Sequence, residues 1–294
     1  MRTNRFTRLS RLLLGASLLS CISVPVAAAQ DNPWSFSAGV DYTSGDYGEA
    51  QDTTIYQIPL TAAYRGNNWS FAITVPYVDL EGSGNIIPGA AGGVGGGGAG
   101  GAAAGLGIGG GGIDLGISLP GQSPSPAPVP PPVPTTIQEQ GLGDATLSLS
   151  FAPFRHESGG GLTIGAGARL PTGDEDKSLG AGEVIGSLGA NYALPLTDSF
   201  SLYGGVGYAH GFESEEGGVF GGIGAQIQAS SHFLIGAGVD WSESTVSGTE
   251  DATSATLYTG YDLTSRTRLV AYASGGLTDT SPDLGAGLRL IFRP

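Results

Sequence analysis

The stretch Trp34-Ser35-Phe36-Ser37-Ala38-Gly39-Val40-Asp41-Tyr42-Thr43 alternates apolar or small side chains with polar ones. Successive side chains of a strand point to opposite faces, so period two means one apolar face and one polar face. The rhythm returns at 56–64, 69–77, 145–151, 162–170, 184–192, 200–208, 219–227, 233–241, 255–263 and 284–292. Residues 267–275 must hold one further strand, although its phase is ambiguous. A soluble two-sheet sandwich would alternate in the same way, so a second test is needed.

The aromatic residues supply it. Trp34 and Tyr42, Tyr56 and Tyr64, Trp69 and Tyr77, Phe200 and Tyr208, and Phe233 and Trp241 each bracket an apolar face, eight residues apart. Eight residues at about 3.3 Å, tilted by about 40°, span about 20 Å of membrane normal, close to the roughly 25 Å apolar band of outer-membrane barrels. Aromatic rings prefer the headgroup level, where one side is apolar and the other wet. A soluble core has no reason to fix that spacing repeatedly. No charged residue falls on the apolar face of the clear strands. The expected fold is all-β: a transmembrane antiparallel up-and-down β-barrel of about twelve strands.

The amino terminus agrees. Arg2, Arg5, Arg8 and Arg11 precede an uncharged run over 12–26, followed by Ala27-Ala28-Ala29-Gln30. A basic head, a short apolar middle and a small-residue end describe a secretory signal peptide, with the cut after Ala29. The rival reading takes Leu18-Leu19-Ser20-Cys21 as a lipoprotein box with Cys21 as lipid acceptor. The expected division is therefore signal 1–29 and barrel 30–294. Four of the 12 basic residues and none of the 26 acidic ones lie in that signal, leaving 8 positive against 26 negative charges, net −18. Such a balance excludes a nucleic-acid partner, whose binders carry basic patches. Cys21 is the only cysteine, so the exported part has no disulfide or thiol nucleophile.

Short connections near 65–68, 154–160, 195–198, 230–231 and 264–265 alternate with longer, more acidic ones near 44–53, 80–140, 171–182, 211–217, 242–252 and 276–282. Short periplasmic turns and longer outer loops are expected of such barrels, as is an even strand count. Residues 89–136, Gly/Ala-rich and then Pro-rich, form a low-complexity insert in the 80–140 loop. Disorder outside the cell and inward folding that narrows the pore both remain open for it. The chain nearly ends on the outward Phe292, like the terminal aromatic that barrel-assembly machinery reads.

Leu170-Pro171-Thr172-Gly173-Asp174 with Leu179-Gly180-Ala181-Gly182 resembles the outer-loop signature of a group of outer-membrane transporters named for the meta-pathway of phenol degradation. Gly141-Leu142-Gly143-Asp144 and Pro76-Tyr77 before Gly84-Asn85 are similar to that group as well. The resemblance implies a channel for passive diffusion of small solutes, often aromatic or hydrophobic. Its insert at 89–136 departs from the pattern. The other reading is a non-transporting structural or adhesive barrel presenting the 80–140 loop. Outer-membrane lipid, lipopolysaccharide, the assembly machinery and a small permeant are the expected partners.

The opposite phase supplies a neutral polar lumen, including Ser37, Gln57, Thr61, Ser150, Gln226 and Thr256. Its charges are few: Asp41, Arg169, Glu183 and Asp240 near the outer end, Asp262 and Arg289 lower down. Together they suggest a ring that selects permeants, although Arg169 paired with an acidic neighbour to hold the wall is the plainer account. Inward glycines, Gly207 and Gly238 among them, are expected either to permit curvature or to leave pore volume open. His156, His210 and His232 have neither metal-ligand spacing nor a place beside an inward serine, so no enzyme, metal or cofactor is expected. The acids at 174–176 and 213–216 are read as solvated loop charge, with divalent-cation binding as the sharper alternative.

Overall fold

The computed structural model describes residues 32–49, 51–82, 136–155, 160–214, 217–244 and 250–294. The expected signal, Cys21, His156 and nearly all of the insert lie outside them. Among the described residues thirteen strands follow one another: β1 (Trp34–Gly45), β2 (Thr53–Arg65), β3 (Trp69–Gly82), β4 (Ile137–Leu142), β5 (Ala145–Arg155), β6 (Gly161–Leu170), β7 (Ile185–Pro195), β8 (Phe200–Gly211), β9 (Gly217–Gln228), β10 (Phe233–Ser242), β11 (Ala252–Thr264), β12 (Thr267–Gly276) and β13 (Leu284–Phe292). Every pairing is antiparallel, and β1 pairs both β2 and β13, which closes the ring.

The ring has twelve staves. β4 pairs only with 77–82 of β3 and β5 only with 69–74, so the two share one stave. Between Tyr77↔Leu142 and Thr74↔Thr146, three residues of this stave oppose two of β3. One extra residue is a β-bulge. It falls opposite Pro76, which has no amide to give the ladder and instead accepts a bond from Gly143 N at 2.9 Å. The sequence reading assigned 80–140 to a loop, whereas β3 runs to Gly82 and β4 begins at Ile137. Polar Gln138, Glu139 and Gln140 hid the strand, because this part of the stave stands above the apolar belt.

The two faces separate as the alternation requires. Outward Ile223, Leu257 and Leu188 are 70%, 65% and 65% exposed, while inward Thr256, Ser150 and Gln57 are buried. Polar side chains pair across the inner wall, as in Thr61–Thr74 and Ser70–Ser150, both 2.7 Å. An apolar belt of this extent belongs against lipid, not water. Its two rims are aromatic: Trp34, Tyr64 and Trp69 pack together with centroids 5.2 and 5.1 Å apart, and Tyr42 meets Tyr56 at 5.0 Å on the other rim. β12 resolves the ambiguous phase by turning Arg268, Val270, Tyr272 and Ser274 inward.

Short turns gather at one end of the ring and long connections at the other. Cysteine at Ser178, in a long connection, is expected to label with an impermeant reagent on intact cells, and cysteine at Thr197, in a short turn, to stay unlabelled. The reverse pattern would invert the orientation.

Candidate functional site

The bulge turns Asp144 into the barrel, where its carboxylate gathers three donors. Oδ2 accepts from Arg169 Nε and from the Ala181 amide, both at 2.7 Å, and Oδ1 accepts from the Gly173 amide at 2.9 Å. The two segments singled out in the sequence, 141–144 and 170–182, are therefore one unit. Thr172 Oγ1 adds a second link, accepting from Ala145 N at 2.8 Å and donating to Gly143 O at 3.2 Å. Gly180 has to be glycine here, since a Cβ would come 2.5 Å from Asp144 Oδ1. The loop so tied brings Leu179 against Ile55, Val78 and Leu80, all essentially buried, with Ile137 packed beside them. The connection 171–184 thus folds back over the inner wall at its own end of the barrel. Arg169, read either as part of a selecting ring or as the partner of an acidic neighbour, is paired with Asp144.

A second network joins the closing strands. Tyr272 OH donates to Asp41 Oδ1 at 2.6 Å, and an Arg289 terminal nitrogen donates to Oδ2 at 3.1 Å. The guanidinium also stands 5.7 Å from the Tyr272 ring centroid, within cation–π range. Asp41 and Arg289 were expected at different heights. Asp41 pairs Gly287 and Arg289 pairs Gly39, so they are diagonal neighbours across β1 and β13, and the slant of the strands brings them together. Asp262, on β11, pairs with Arg268, which accounts for the lower acid.

Glu183 lies in a loop and accepts from the amides of Glu213 at 2.8 Å and Ser214 at 3.0 Å, tying two long connections together. Partial burial pushes its carboxyl up, but those amide bonds, the Ser214 hydroxyl and His210 outweigh it and leave it below the ordinary range.

The inward glycines do not face empty space throughout. The Phe220 ring covers Gly207, Tyr203 covers Gly224, Tyr258 covers Gly236 and Tyr272 covers Gly287. Each large ring lies flat on a neighbouring strand that has no side chain to obstruct it. Gly238 differs: it sits in register between Gly224 and Thr256. With Leu234, Val270 and Ile291, three of these tyrosines form a buried cluster along the inner wall. The inside is more aromatic than the polar phase suggested. By contrast, a groove of about 900 Å³ across β8–β12 lies among outward Leu202, Ile223, Val239 and Leu257, on the apolar side of the wall.

Charge is divided along the axis. The end with long connections carries Asp46, Asp52, Glu139, Asp174, Glu175 and Glu183 among others, against Lys177 and the paired Arg169; the short-turn end carries Arg65, Arg155, Arg266 and Arg293 against Asp198. A family model described as "Putative MetA-pathway of phenol degradation" matches residues 40–293. The chain belongs to that family. The family match takes in both halves of the Asp144 unit and every strand of the ring, β1 included from Val40.

Among solved structures, the COG4313 outer membrane channel from Pseudomonas putida F1 is similar at 12% identity and a TM-score of 0.57, covering 92% of this chain and 99% of that one. The NanC porin is similar at 8% identity and a TM-score of 0.51, covering 88% of this chain and all of that one. At these identities the likeness is one of fold: the family member described here has the barrel of outer-membrane channels and porins. Among curated proteins, none matches the chain.

Proposed function

We propose that the protein is an outer-membrane channel through which small solutes, aromatic or hydrophobic compounds among them, diffuse passively down their gradients. The observation that carries this reading is the separation of faces around a closed ring: apolar residues outside, and serine, threonine, glutamine and a few paired charges inside. A wet path needs such a wall, and a ring of twelve staves is wider than the eight-stranded barrels whose interiors side chains just fill. The inward tyrosines add flat apolar surface beside polar groups, which suits permeants that are part ring and part polar.

On this reading residues 1–29 are the export signal, 30–294 the barrel and 89–136 an insert at the outer mouth. Asp41, Arg169, Glu183, Asp240, Arg289, Gly207 and Gly238 line or shape the path. Lipid, lipopolysaccharide and the assembly machinery are its partners in the cell.

Purified protein in planar bilayers should give discrete current steps. Deleting 89–136 should raise conductance if the insert folds inward and leave it unchanged if the insert stays outside. A barrel that inserts without passing current would overturn the channel reading in favour of a structural or adhesive one.

A further inference from the structure

Inward acids of the barrel are matched with cations almost throughout. Asp41 has Arg289, Asp144 has Arg169, Asp262 has Arg268 and Glu139 faces Lys177 at 3.7 Å. Asp240, on β10, has no cation among the described residues and, unlike Glu183 with its two amide donors, no hydrogen-bond donor at Oδ2. Its side chain lies over Gly222 of β9, and its Oδ2 is covered from solvent with no hydrogen-bond partner. Covered polar atoms are nearly always bonded, and a covered charge is costly unless it is paired.

Three more buried polar atoms of the same sector have no partner. They are Thr256 Oγ1, Gln226 Oε1 and the Tyr258 hydroxyl, in residues only 2%, 6% and 3% exposed. The register orders these groups. Thr256 opposes Gly238, two residues from Asp240 on β10, and Gln226 opposes Gly236, four residues from it. At about 3.3 Å per residue the ladder is about 13 Å long. Two rings lie along it: Tyr203 reaches over β9 to donate to Ala237 O at 3.1 Å, and Tyr258 covers Gly236.

The geometry points to a binding subsite for an organic ammonium cation, with the charged nitrogen at Asp240 and an apolar body against Tyr203 and Tyr258. The carboxylate and the amide oxygen can only accept, so the occupant must donate. A cationic occupant would hold the Asp240 carboxyl ionised where no side chain does so, and the flanking rings favour one both by contact and by cation–π attraction. An acidic mouth above and arginines at the opposite rim would draw such a cation in from the side of the long connections. This subsite concerns binding at equilibrium and does not depend on the channel reading.

The test is titration of the full chain, purified in detergent at fixed ionic strength, with benzylammonium, benzyl alcohol and benzoate, each followed by calorimetry. Benzylammonium should bind, benzyl alcohol should bind at least ten-fold more weakly, and benzoate should not bind. Asp240→Asn keeps the shape, removes the charge, and should weaken benzylammonium at least ten-fold. Thr256→Val, which leaves every charge in place, should weaken it several-fold and serves as the second variant should Asp240→Asn not assemble. Absent binding of benzylammonium, equal binding of benzyl alcohol, or unchanged affinity in either variant would overturn the subsite. A protein that binds benzylammonium as described yet passes no current would retain the subsite and lose only the channel.

Discussion

Asp144→Ala should cost the barrel about 3–5 kcal/mol, because it removes one partner of a buried ion pair and leaves Arg169 charged and covered. The side chains of Arg169 and Asp144 are 6% and 1% exposed, so water cannot compensate either of them. The same change frees the amides of Gly173 and Ala181, each of which loses its acceptor. Stability and loop order should therefore fall together. Reversible urea unfolding in lipid vesicles measures the first, and protease cutting within 171–184 the second. Asp144→Asn keeps an acceptor oxygen for one amide and should fall between Ala and the parent. Asp144→Ala with Arg169→Leu should recover part of the loss, since the pair is then removed whole. An alanine variant as stable as the parent, with its loop still protected, would show that the carboxylate holds nothing.

Legibility in the sequence followed the physics of each feature. The faces of β1, β2 and β3 could be read directly, because lipid on one side and polar groups on the other impose period two. The aromatic rims could be read as well, since ring spacing records the thickness of the apolar belt. β4 escaped because it stands above that belt and needs no apolar face. β12 was ambiguous because Val270 and Tyr272 are apolar on the inside, where Tyr272 is admitted only by Gly287 on the next strand. A single strand's pattern cannot report a vacancy on its neighbour.

The charged residues of the lumen were found, but their partners were not. Asp41 and Arg289 are 248 residues apart and become neighbours only through closure of the ring. Asp144 turns inward only because a bulge adds one residue opposite Pro76, which alternation alone would miss. Gly143-Asp144 had been marked within a motif, and that was the available signal for the unit. Asp240 stood out only after the other inward acids had found a cation or, for Glu183, amide donors.

Ile73→Arg should lose about 2–4 kcal/mol of folding stability, the cost of a cation at the midplane of the lipid face of a barrel. Ile73 lies outward on β3, midway between Trp69 and Tyr77, which mark its two rims. Leu188→Arg should cost less, although Leu188 is the more exposed of the two. It pairs with Tyr208 on the aromatic rim nearer the long connections, and the penalty falls to about 0–1 kcal/mol near the interface. Thr74→Arg moves the same charge one residue along β3 and onto the inner wall. There it gives up a hydroxyl bond with Thr61, worth about 1 kcal/mol, and stands between Thr61 and Thr146 instead of against lipid. The order Ile73, then Leu188 and Thr74 together, tests side and depth in one series of urea unfolding curves. If Thr74→Arg lost as much as Ile73→Arg, the inner wall would be as dry as the lipid face, and neither a solute path nor a cation subsite could lie along it.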